Sequence, residues 1–291
     1  PVCILPSIKI TMNLQDLRMK SEFAGKTVII TGASAGVGAA CARAFAAQKA
    51  NLVLSARGQE GLDKIADELS PQCSVLTVAM DVGNSDQCME LLAKAEAKFG
   101  HVDVLVNNAG MHNRGDVEKL DPADVGAMVD INMRAPLILS CAAIPYLRRT
   151  GSGSIVMVGS LAGMSPLQGA ATYSGTKAGL RAFAYALADE VRESGITVGV
   201  VSPGPIDTGF IMNEIDNVED IVFSQPMSTA EAVADAILSI ARGEQTEVTM
   251  PASSGKLVTL SYLFPKLRRY MRPKLYAKGR KNKDKYRKRN A

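Results

Sequence analysis

Short apolar runs alternate along the chain with longer stretches of helical character, and this rhythm constrains the fold more than any other feature. Six apolar runs of strand length lie at 26–31, 51–56, 74–81, 102–108, 153–160 and 196–204, and a weaker seventh lies at 246–251. Continuous apolar strands separated by helices indicate a parallel sheet that is covered on both faces. The sequence therefore predicts an α/β protein with a doubly wound parallel sheet of about seven strands and right-handed crossovers.

Cysteine, histidine and hydropathy patterns exclude several classes of protein. The five cysteines are odd in number and irregularly spaced, which argues against a disulfide framework and favours a reducing compartment. The chain has only two histidines, His101 and His112, and no Cys/His cluster, so no metal site is expected. Since no apolar run reaches about 18 residues, we expect no spanning helix and a cytoplasmic protein.

The charge of the chain is unevenly distributed. Residues 256–291 contain fourteen Lys and Arg against the single acid Asp284, a net charge of +13. Because the whole chain carries +4, the other 255 residues carry −9. This break predicts three parts: an N-terminal arm at 1–23, a nucleotide-binding catalytic domain at 24–252, and a basic amphipathic tail at 253–291.

A glycine-rich turn, "TGASAGVG" at 31–38, follows the first predicted strand and opens a helix. Ligands of such sheets bind outside the carboxyl ends of the strands. Gly32, Gly36 and Gly38 allow a tight bend and close approach to a ligand, and the helix N-terminus offers free N–H groups to a pyrophosphate. The alternative is a glycine-rich turn without a ligand.

The end of the second strand, "LSARG", lacks the acid that dinucleotide folds preferring NAD place beside the adenosine ribose. Arg57 is suited to a 2′-phosphate instead, so the sequence favours NADP over NAD. Ser34 and Ser55 are the nearby hydroxyls that support this choice. The alternative is that Arg57 is a solvated residue at a helix start.

Two further strand ends supply candidate contacts for the adenosine side of the cofactor. Asp81 ends the third strand, and its carboxylate is placed to accept from the adenine amino group. The fourth strand ends in "NNAG", whose first residue, Asn107, has an equally plausible structural role. The candidate contacts here are Asp81, Val82, Asn108, Ala109 and Gly110.

Five motifs in this order resemble those of the short-chain dehydrogenase/reductase family: "TGASAGVG", "NNAG", Ser160, "YSGTK" at 173–177 and "SPG" at 202–204. The resemblance covers about residues 24–250. It implies a single-domain Rossmann-type enzyme that transfers a hydride between NAD(P) and a carbonyl or alcohol. It also implies that Pro203, Gly204, Ile206 and Thr208 form the loop beside the nicotinamide, and Val37 of the glycine turn is a further candidate cofactor contact. One departure is Ala35, where many NADP-preferring relatives carry a basic residue.

Tyr173 and Lys177 form the chemical core of the resemblance. The alkoxide left by hydride transfer needs a proton, and a tyrosine with its ordinary pKa near 10 is sluggish at neutral pH. A lysine four residues later lies on the same helix face, so its charge is expected to lower the pKa of Tyr173. The family implies that Lys177 also holds the cofactor, that Ser160 donates to the substrate oxygen, and that Asn132 positions a water in a proton relay.

The substrate is less constrained by the sequence. The segment 209–227 follows the nicotinamide loop, and in the family it covers the substrate pocket. Its apolar residues favour a hydrophobic ketone or secondary alcohol, such as a steroid, a retinoid or an acyl derivative. The alternative is that these residues pack the segment onto the body. Leu161, Met164 and Leu167 are further candidates for the pocket lining.

The tail and the long helices suggest partners. Apolar and aromatic residues followed by a cationic run predict peripheral membrane contact through 253–291, with a subunit-docking arm as the alternative. Pro265 and Pro273 are expected to divide this tail into short pieces. The acidic body argues against nucleic acid, and the family implies a homodimer or homotetramer through helices at 122–149 and 171–194. A second interpretation of the whole chain is a non-catalytic, nucleotide-binding regulatory protein.

Overall fold

The computed structural model describes residues 22–290, so all but the end of the predicted N-terminal arm lies outside the described residues. Within that range, seven strands form one parallel sheet, which confirms the predicted fold class. Each strand is one to three residues shorter than its predicted run, apart from the second, which matches. The strands are Thr27–Thr31 (β1), Asn51–Ala56 (β2), Val75–Ala79 (β3), Val104–Asn107 (β4), Gly153–Val158 (β5), Ile196–Pro203 (β6) and Glu247–Met250 (β7).

The strand order is β3-β2-β1-β4-β5-β6-β7, and every neighbouring pair is parallel. The chain builds outward from β1 to β3 on one side, and then returns to place β4 on the other side of β1. The connections that follow β1 and β4 therefore pass to helices on opposite faces of the sheet, and so they diverge beyond the strand ends. This divergence opens a crevice at the carboxyl edge of the sheet, where doubly wound sheets bind their ligands.

Helices cover both faces of the sheet and extend beyond its last strand. They are Gly36–Ala47 (α1), Gln59–Leu69 (α2), Ser85–Phe99 (α3), Pro122–Val129 (α4), Ala135–Arg149 (α5), Ala171–Glu190 (α6), Gly209–Met212 (α7), Ala230–Ala241 (α8), Ala252–Leu263 (α9) and Pro265–Asn290 (α10).

The core consists of two apolar layers, one on each side of the sheet. In β1, Val28 and Ile30 face the layer that contains α1, α2 and α8, whereas Ile29 faces the layer that contains α3, α5 and α6. Successive side chains of a strand point to opposite faces, so a strand buried on both sides must be apolar throughout. The near-continuous apolar runs of the sequence follow from this double burial.

Residues 122–149 form one helical unit, in which a π-helical stretch, Asp130–Arg134, separates α4 from α5. Among the described residues, this unit is the one helix that is long and apolar enough to cross a membrane. Its residues Leu139, Ala143 and Leu147, however, are buried against the sheet. The unit is therefore a core helix of the α/β fold.

The prediction that prolines divide the tail into short pieces is wrong for α10. Pro265 is the first residue of this 26-residue helix, a position where its missing N–H leaves no bond unmade. Pro273 lies inside the helix and removes one backbone hydrogen bond, at a typical cost of about 3 kcal/mol. Contacts made by residues after Pro273, described below, offset this cost.

Candidate active site

Tyr173 and Lys177 lie one turn apart at the start of α6, as their spacing predicts. Lys177 is buried, with 4% of its surface exposed, and its Nζ donates to the carbonyl oxygen of Val158 at 2.8 Å. Val158 is the last residue of β5, so this bond ties the helix to the carboxyl end of the strand. The partly buried Tyr173 ring lies with its centroid 5.8 Å from the Lys177 Nζ.

Ser160 follows β5, and its hydroxyl interacts with the Tyr173 phenol in a way that lowers the pKa of Tyr173. Its Oγ also accepts from the backbone N–H of Ala162 at 3.1 Å and so begins a short 3₁₀ helix, Leu161–Gly163. That turn packs directly on α6, because a Cβ on Gly163 would lie 2.6 Å from the carbonyl carbon of Lys177. Glycine at this position therefore brings the serine and the lysine within one site.

Asn132 lies in the π-helical stretch and is 1% exposed. Its Oδ1 accepts from the N–H of Met111 at 2.8 Å, and its Nδ2 donates to the carbonyl oxygen of the same residue at 2.8 Å. A Cβ on Gly110 would lie 3.3 Å from the Asn132 Oδ1 and 3.6 Å from the Lys177 Nζ. The π-helical stretch, a feature often found at functional sites, thus places the asparagine beside the lysine at the loop after β4.

The pKa of Tyr173 differs from the sequence-based expectation. Burial of the phenol raises its pKa above the ordinary value, and this is the largest effect. The hydrogen bond with Ser160 and the positive charge of Arg114 act in the opposite direction. The cation that lowers the pKa of Tyr173 is therefore Arg114, and the role predicted for the charge of Lys177 is not seen. Burial lowers the pKa of Lys177 itself to about 8.

Two residues of this site, His112 and Arg114, are absent from the sequence prediction. The His112 ring stacks on the Tyr173 ring, with centroids 4.2 Å apart and planes 13° apart. Its Nδ1 lies 2.9 Å from Nη1 of Arg114, and since a guanidinium only donates, Nδ1 is the acceptor. Burial, together with the charges of Arg114 and Lys177, lowers the pKa of His112 to about 3, so the ring is neutral. The only available signal was its position two residues after the "NNAG" motif.

Arg114 links the loop after β4 to the pocket-capping segment, which we define as residues 209–227. Its Nη2 donates to the carbonyl oxygen of Phe210 at 2.8 Å, and its Nε donates to Glu214 at 3.2 Å. The guanidinium also lies 5.5 Å from the Phe210 ring centroid. Arg114 therefore fixes the start of the capping segment and the His112 ring together.

The glycine loop after β1 has the geometry of a phosphate-binding turn. Gly32 and Gly36 have φ values of +67° and +54°, which favour glycine. A Cβ on Gly38 would overlap the carbonyl oxygen of Gly32 and lie 2.7 Å from the Asn108 Nδ2. No side chain caps the start of α1 at Ala35, so its first N–H groups remain available to an anion. These features fit the pyrophosphate of a dinucleotide.

Asn108 and Ala109 hold the loops after β1 and β4 together. The Asn108 Nδ2 donates to the carbonyl oxygens of Thr31 and Gly32, at 2.8 and 3.1 Å. The backbone N–H groups of Asn108 and Ala109 both donate to the Thr31 Oγ1 at 3.0 Å. The Asn108 side chain is thus committed to the protein, and its predicted cofactor contact would come from its backbone.

The residues proposed for the adenosine end of the cofactor differ in accessibility. Arg57 is exposed beyond the end of β2, whereas Ser55 is 0% exposed and its Oγ has no hydrogen-bond partner among the described residues. Ser34 lies beside Gly61, where a Cβ would lie 2.9 Å from the Ser34 Cβ. Asp81 is exposed, and its Oδ1 accepts from the N–H of Gly83 at 2.9 Å.

The loop after β6 closes over the glycine loop. The Cβ and Cγ2 of Thr208 both lie 3.6 Å from the position of a Cβ on Gly36. The N–H of Gly204 donates to the carbonyl oxygen of Met250 at 2.7 Å, and Ile206 forms an isolated bridge with Ser228. The predicted nicotinamide loop therefore lies next to the predicted pyrophosphate turn.

The capping segment has its own small core. Ile211, Val218 and Phe223 are buried in a cluster that includes Tyr286 of α10. These residues therefore pack against one another and against α10. Phe210 is 46% exposed, and Leu161 is 5% exposed in the 3₁₀ turn after Ser160.

Helix α10 holds the capping segment from outside. The Lys283 Nζ donates to the carbonyl oxygen of Val218 at 2.6 Å, and the Asn282 Nδ2 donates to that of Phe223 at 3.0 Å. Gly279 packs against the segment so closely that a Cβ there would overlap the carbonyl oxygen of Asp220. The half of the tail beyond Pro273 is therefore part of the wall around the site.

Comparisons with known proteins agree with this geometry. Residues 26–219 match the family model described as short chain dehydrogenase. An uncharacterized oxidoreductase of Staphylococcus epidermidis is 31% identical over 77% of this chain and 96% of its own length. The ketoacyl reductase HetN of Nostoc is 32% identical over 77% and 78% of the two chains, and dehydrogenase/reductase SDR family member 7B of Bos taurus is 30% identical over 87% and 82%.

Solved structures show the same fold. A short-chain type dehydrogenase/reductase from Mycobacterium marinum superposes with a TM-score of 0.74 at 26% identity, covering 80% of this chain and 96% of that one. A metagenomic short-chain oxidoreductase, solved in complex with NADP, has a TM-score of 0.67 at 29% identity, covering 79% and 98%.

Proposed function

Since the chain belongs to the short-chain dehydrogenase/reductase family and is an NAD(P)-dependent oxidoreductase, we propose that it is an NADP-dependent carbonyl reductase with Tyr173 as its general acid. The observation that supports this most directly is the group formed by Tyr173, Ser160, Lys177 and Asn132. The Ser160 hydroxyl acts on the pKa of Tyr173, and Lys177 and Asn132 both lie beside Gly110. A regulatory protein without turnover would have no chemical need for all four.

Each residue has a defined task in this proposal. NADPH, when bound, supplies the hydride. The Tyr173 O–H donates its proton to the oxygen of the reduced carbonyl, and the O–H of Ser160 stabilises negative charge on the phenolate or the substrate oxygen. Lys177, fixed by Val158 at 2.8 Å, presents its remaining N–H groups to the cofactor and to the proton path. Asn132 keeps the loop at Met111 in place beside it.

The test of Tyr173 has a matched control on the same helix. Tyr173→Phe removes one oxygen atom and should lower kcat by about 100-fold or more, the usual contribution of a placed acid or base. The exposed Tyr185, whose O–H donates to Glu247, provides the control, because Tyr185→Phe leaves the site untouched. Consumption of NADPH over a panel of ketones measures turnover, and fluorescence titration measures cofactor binding. Full activity of Tyr173→Phe would refute the proposal, and an inactive wild type that binds NADPH would favour the regulatory protein.

The preference for NADP rests on Arg57. It is exposed directly after β2, and the strand end "LSARG" contains no carboxylate to hold a ribose diol. Arg57→Asp should raise the KM for NADPH and leave the KM for NADH unchanged or lower, so the two cofactors act as mutual controls. A variant that still prefers NADPH would exclude Arg57 as the phosphate partner. Given this preference, we propose reduction as the physiological direction.

We propose a hydrophobic ketone of steroid, retinoid or acyl type as the substrate, and hence a role in lipid metabolism. Exposed Phe210 and the apolar turn at Leu161 border the site, and one similar protein carries the name ketoacyl reductase. We also propose a cytoplasmic homo-oligomer that contacts a membrane through 253–291. The exposed Val129 and Tyr185 on the two long helices are candidates for a subunit interface, which light scattering on purified protein would test.

A further inference from the structure

The chain exposes an unusual concentration of apolar side chains where α9 meets α10. Thirteen large apolar side chains among the described residues are exposed, and eight of them lie between 257 and 271. We call residues 256–274 the elbow. Scattered single exposed apolar residues are normal, but a contiguous patch marks a surface that contacts something.

The exposed residues of the elbow follow helical spacing. On α9, Leu257, Leu260 and Leu263 recur every three residues, and Phe264 follows directly after the helix; the four are 44–66% exposed. On α10, Leu267 and Tyr270 continue the pattern at 43% and 71% exposure. The opposite side of α9, at 254, 255 and 258, is buried. One side of α9 therefore packs on the body, while the large apolar side chains of the elbow are exposed to solvent.

The charges around this face have one sign. No acid occurs between 248 and 283, and Lys256, Lys266, Arg269 and Lys274 are exposed within the elbow. Apolar side chains bordered by long cationic ones match a bilayer with anionic headgroups, because the apolar part enters the headgroup region while the cations reach the phosphates. A second copy of the chain would present the same positive charge to this face, which opposes self-association.

In the distal half of α10, three cations form ion pairs with acids of the pocket-capping segment. Arg280 and Lys283 lie 3.0 and 3.5 Å from the carboxylate of Asp220, and Arg287 lies 2.7 Å from that of Asp216. These cations hold the pocket-capping segment and are not free to bind lipid. Other lysines of the distal half, such as Lys281 and Lys285, are exposed, but no large apolar side chain described beyond Met271 is exposed with them, so this half lacks the apolar surface that the elbow has.

We infer that the elbow, residues 256–274, binds the surface of an anionic phospholipid bilayer. The distal half of α10 instead packs on the pocket-capping segment and holds it in place. This rests on the proposed membrane contact and narrows it from the whole tail to the elbow. The elbow also adjoins the pocket rim, since the hydroxyls of Ser261 and Ser165 are 2.9 Å apart. Ser165 lies between the Ser160 turn and α6, so bilayer binding would bring the pocket entrance close to lipid-dissolved substrate.

Flotation of the full-length protein with phosphatidylcholine–phosphatidylserine vesicles tests the inference. The double variant Leu263→Ser, Phe264→Ser should reduce the bound fraction about tenfold or more, because two large apolar groups are removed from the interface. Its control is Met89→Ser, Val117→Ser, in which two similarly exposed apolar residues elsewhere are changed. That control should float like the wild type.

Double variants in which two cations are replaced by glutamine distinguish membrane binding by the elbow from membrane binding by the distal half of α10. Lys266→Gln, Arg269→Gln should weaken flotation and its salt sensitivity more than Lys281→Gln, Lys285→Gln, whose lysines are exposed on the distal half. Equal loss from both pairs, or wild-type flotation of Leu263→Ser, Phe264→Ser, would overturn the assignment to the elbow. If the wild type does not float, both the assignment to the elbow and the proposed membrane contact through 253–291 are refuted.

Two more measurements separate bilayer binding from self-association and from loss of catalysis. Light scattering without vesicles measures self-association. If the wild type is a dimer and the elbow substitutions dissociate it, the partner of the elbow is a second copy of the chain and the bilayer assignment is refuted. Turnover of a water-soluble ketone should be the same in all variants, because none lies in the active site. Loss of turnover in every protein, wild type included, would count against the reductase proposal and leave the flotation result intact.

Discussion

Gly279 offers the sharpest test of how α10 is held on the body. In an isolated helix, Gly→Ala stabilises by about 1 kcal/mol. Here, a Cβ would overlap the carbonyl oxygen of Asp220 and lie 2.6 Å from its carbonyl carbon, where ordinary contact begins at 3.4 Å. The two effects have opposite signs. Gly279→Ala therefore tests whether packing or helix propensity has the larger effect on the docking of α10.

The structure gives the magnitude of the packing effect. Relief of the overlap moves the helix by about 1 Å, which stretches the Lys283–Val218 and Asn282–Phe223 hydrogen bonds, at 2.6 and 3.0 Å, beyond bonding range. Losing one charged and one neutral hydrogen bond costs about 3 kcal/mol in total. After subtracting about 1 kcal/mol for helix propensity, docking weakens by about 2 kcal/mol, or about 30-fold in its equilibrium constant.

Limited trypsin digestion measures this equilibrium, because the distal half of α10 is rich in Lys and Arg. When opening is fast relative to cleavage, the cleavage rate follows the population of undocked helix, so it should rise about 30-fold in Gly279→Ala. Gly126→Ala in α4 is the matched control, since its Cβ meets nothing within 4 Å. That variant should keep the wild-type cleavage rate and gain stability. A wild-type or slower cleavage rate for Gly279→Ala would refute the docking argument.

Three further predictions concern the site and its support. Arg114→Met should raise the pKa of Tyr173; because the phenol must hold its proton for reduction, the alkaline fall of kcat should move to higher pH. Gly38→Ala should abolish tight NADPH binding in fluorescence titration, because the new Cβ would overlap a carbonyl oxygen of the glycine loop. Asp103→Ala should lower the free energy of unfolding in urea by about 1–3 kcal/mol, because the buried carboxylate accepts from the N–H of Thr27 at 2.8 Å and that N–H would lose its partner.

Each of these predictions has a contrary outcome. An unmoved alkaline limb in Arg114→Met would show that its charge does not reach the phenol. Near-normal NADPH affinity of Gly38→Ala would mean that the turn relaxes without cost. For Asp103, a stability equal to the wild type would show that water replaces the lost acceptor at Thr27.

The fold was predictable because its signal is local and repeated. Each strand buried on both faces must be apolar over its whole length, and β1 to β7 all lie within the predicted runs. Tyr173 and Lys177 were also accessible to sequence reasoning, since a separation of four residues on a helix fixes their common face. Their roles in catalysis remain predictions, supported by the geometry around Ser160 and Gly110.

The errors have a common origin in long-range packing. Pro273 was expected to break the tail, but contacts of later residues with the capping segment hold the helix together across it. Ser55 is 0% exposed, a burial that its sequence neighbours do not reveal, and its predicted cofactor contact stays a prediction. The signal for either outcome lies in residues distant along the chain.

The sequence by itself determined the parallel sheet, the glycine turn after β1 and the pairing of a phenol with an amine on one helix face, because each depends on residues within a few positions of one another. Only the tertiary structure decided what surrounds them. It stacks His112 on Tyr173, makes Arg114 rather than Lys177 the cation that opposes the raised pKa of that phenol, and turns half of the basic tail inward. Desolvation and charge act through space, so they depend on the packed neighbours of a side chain and not on its neighbours in the chain.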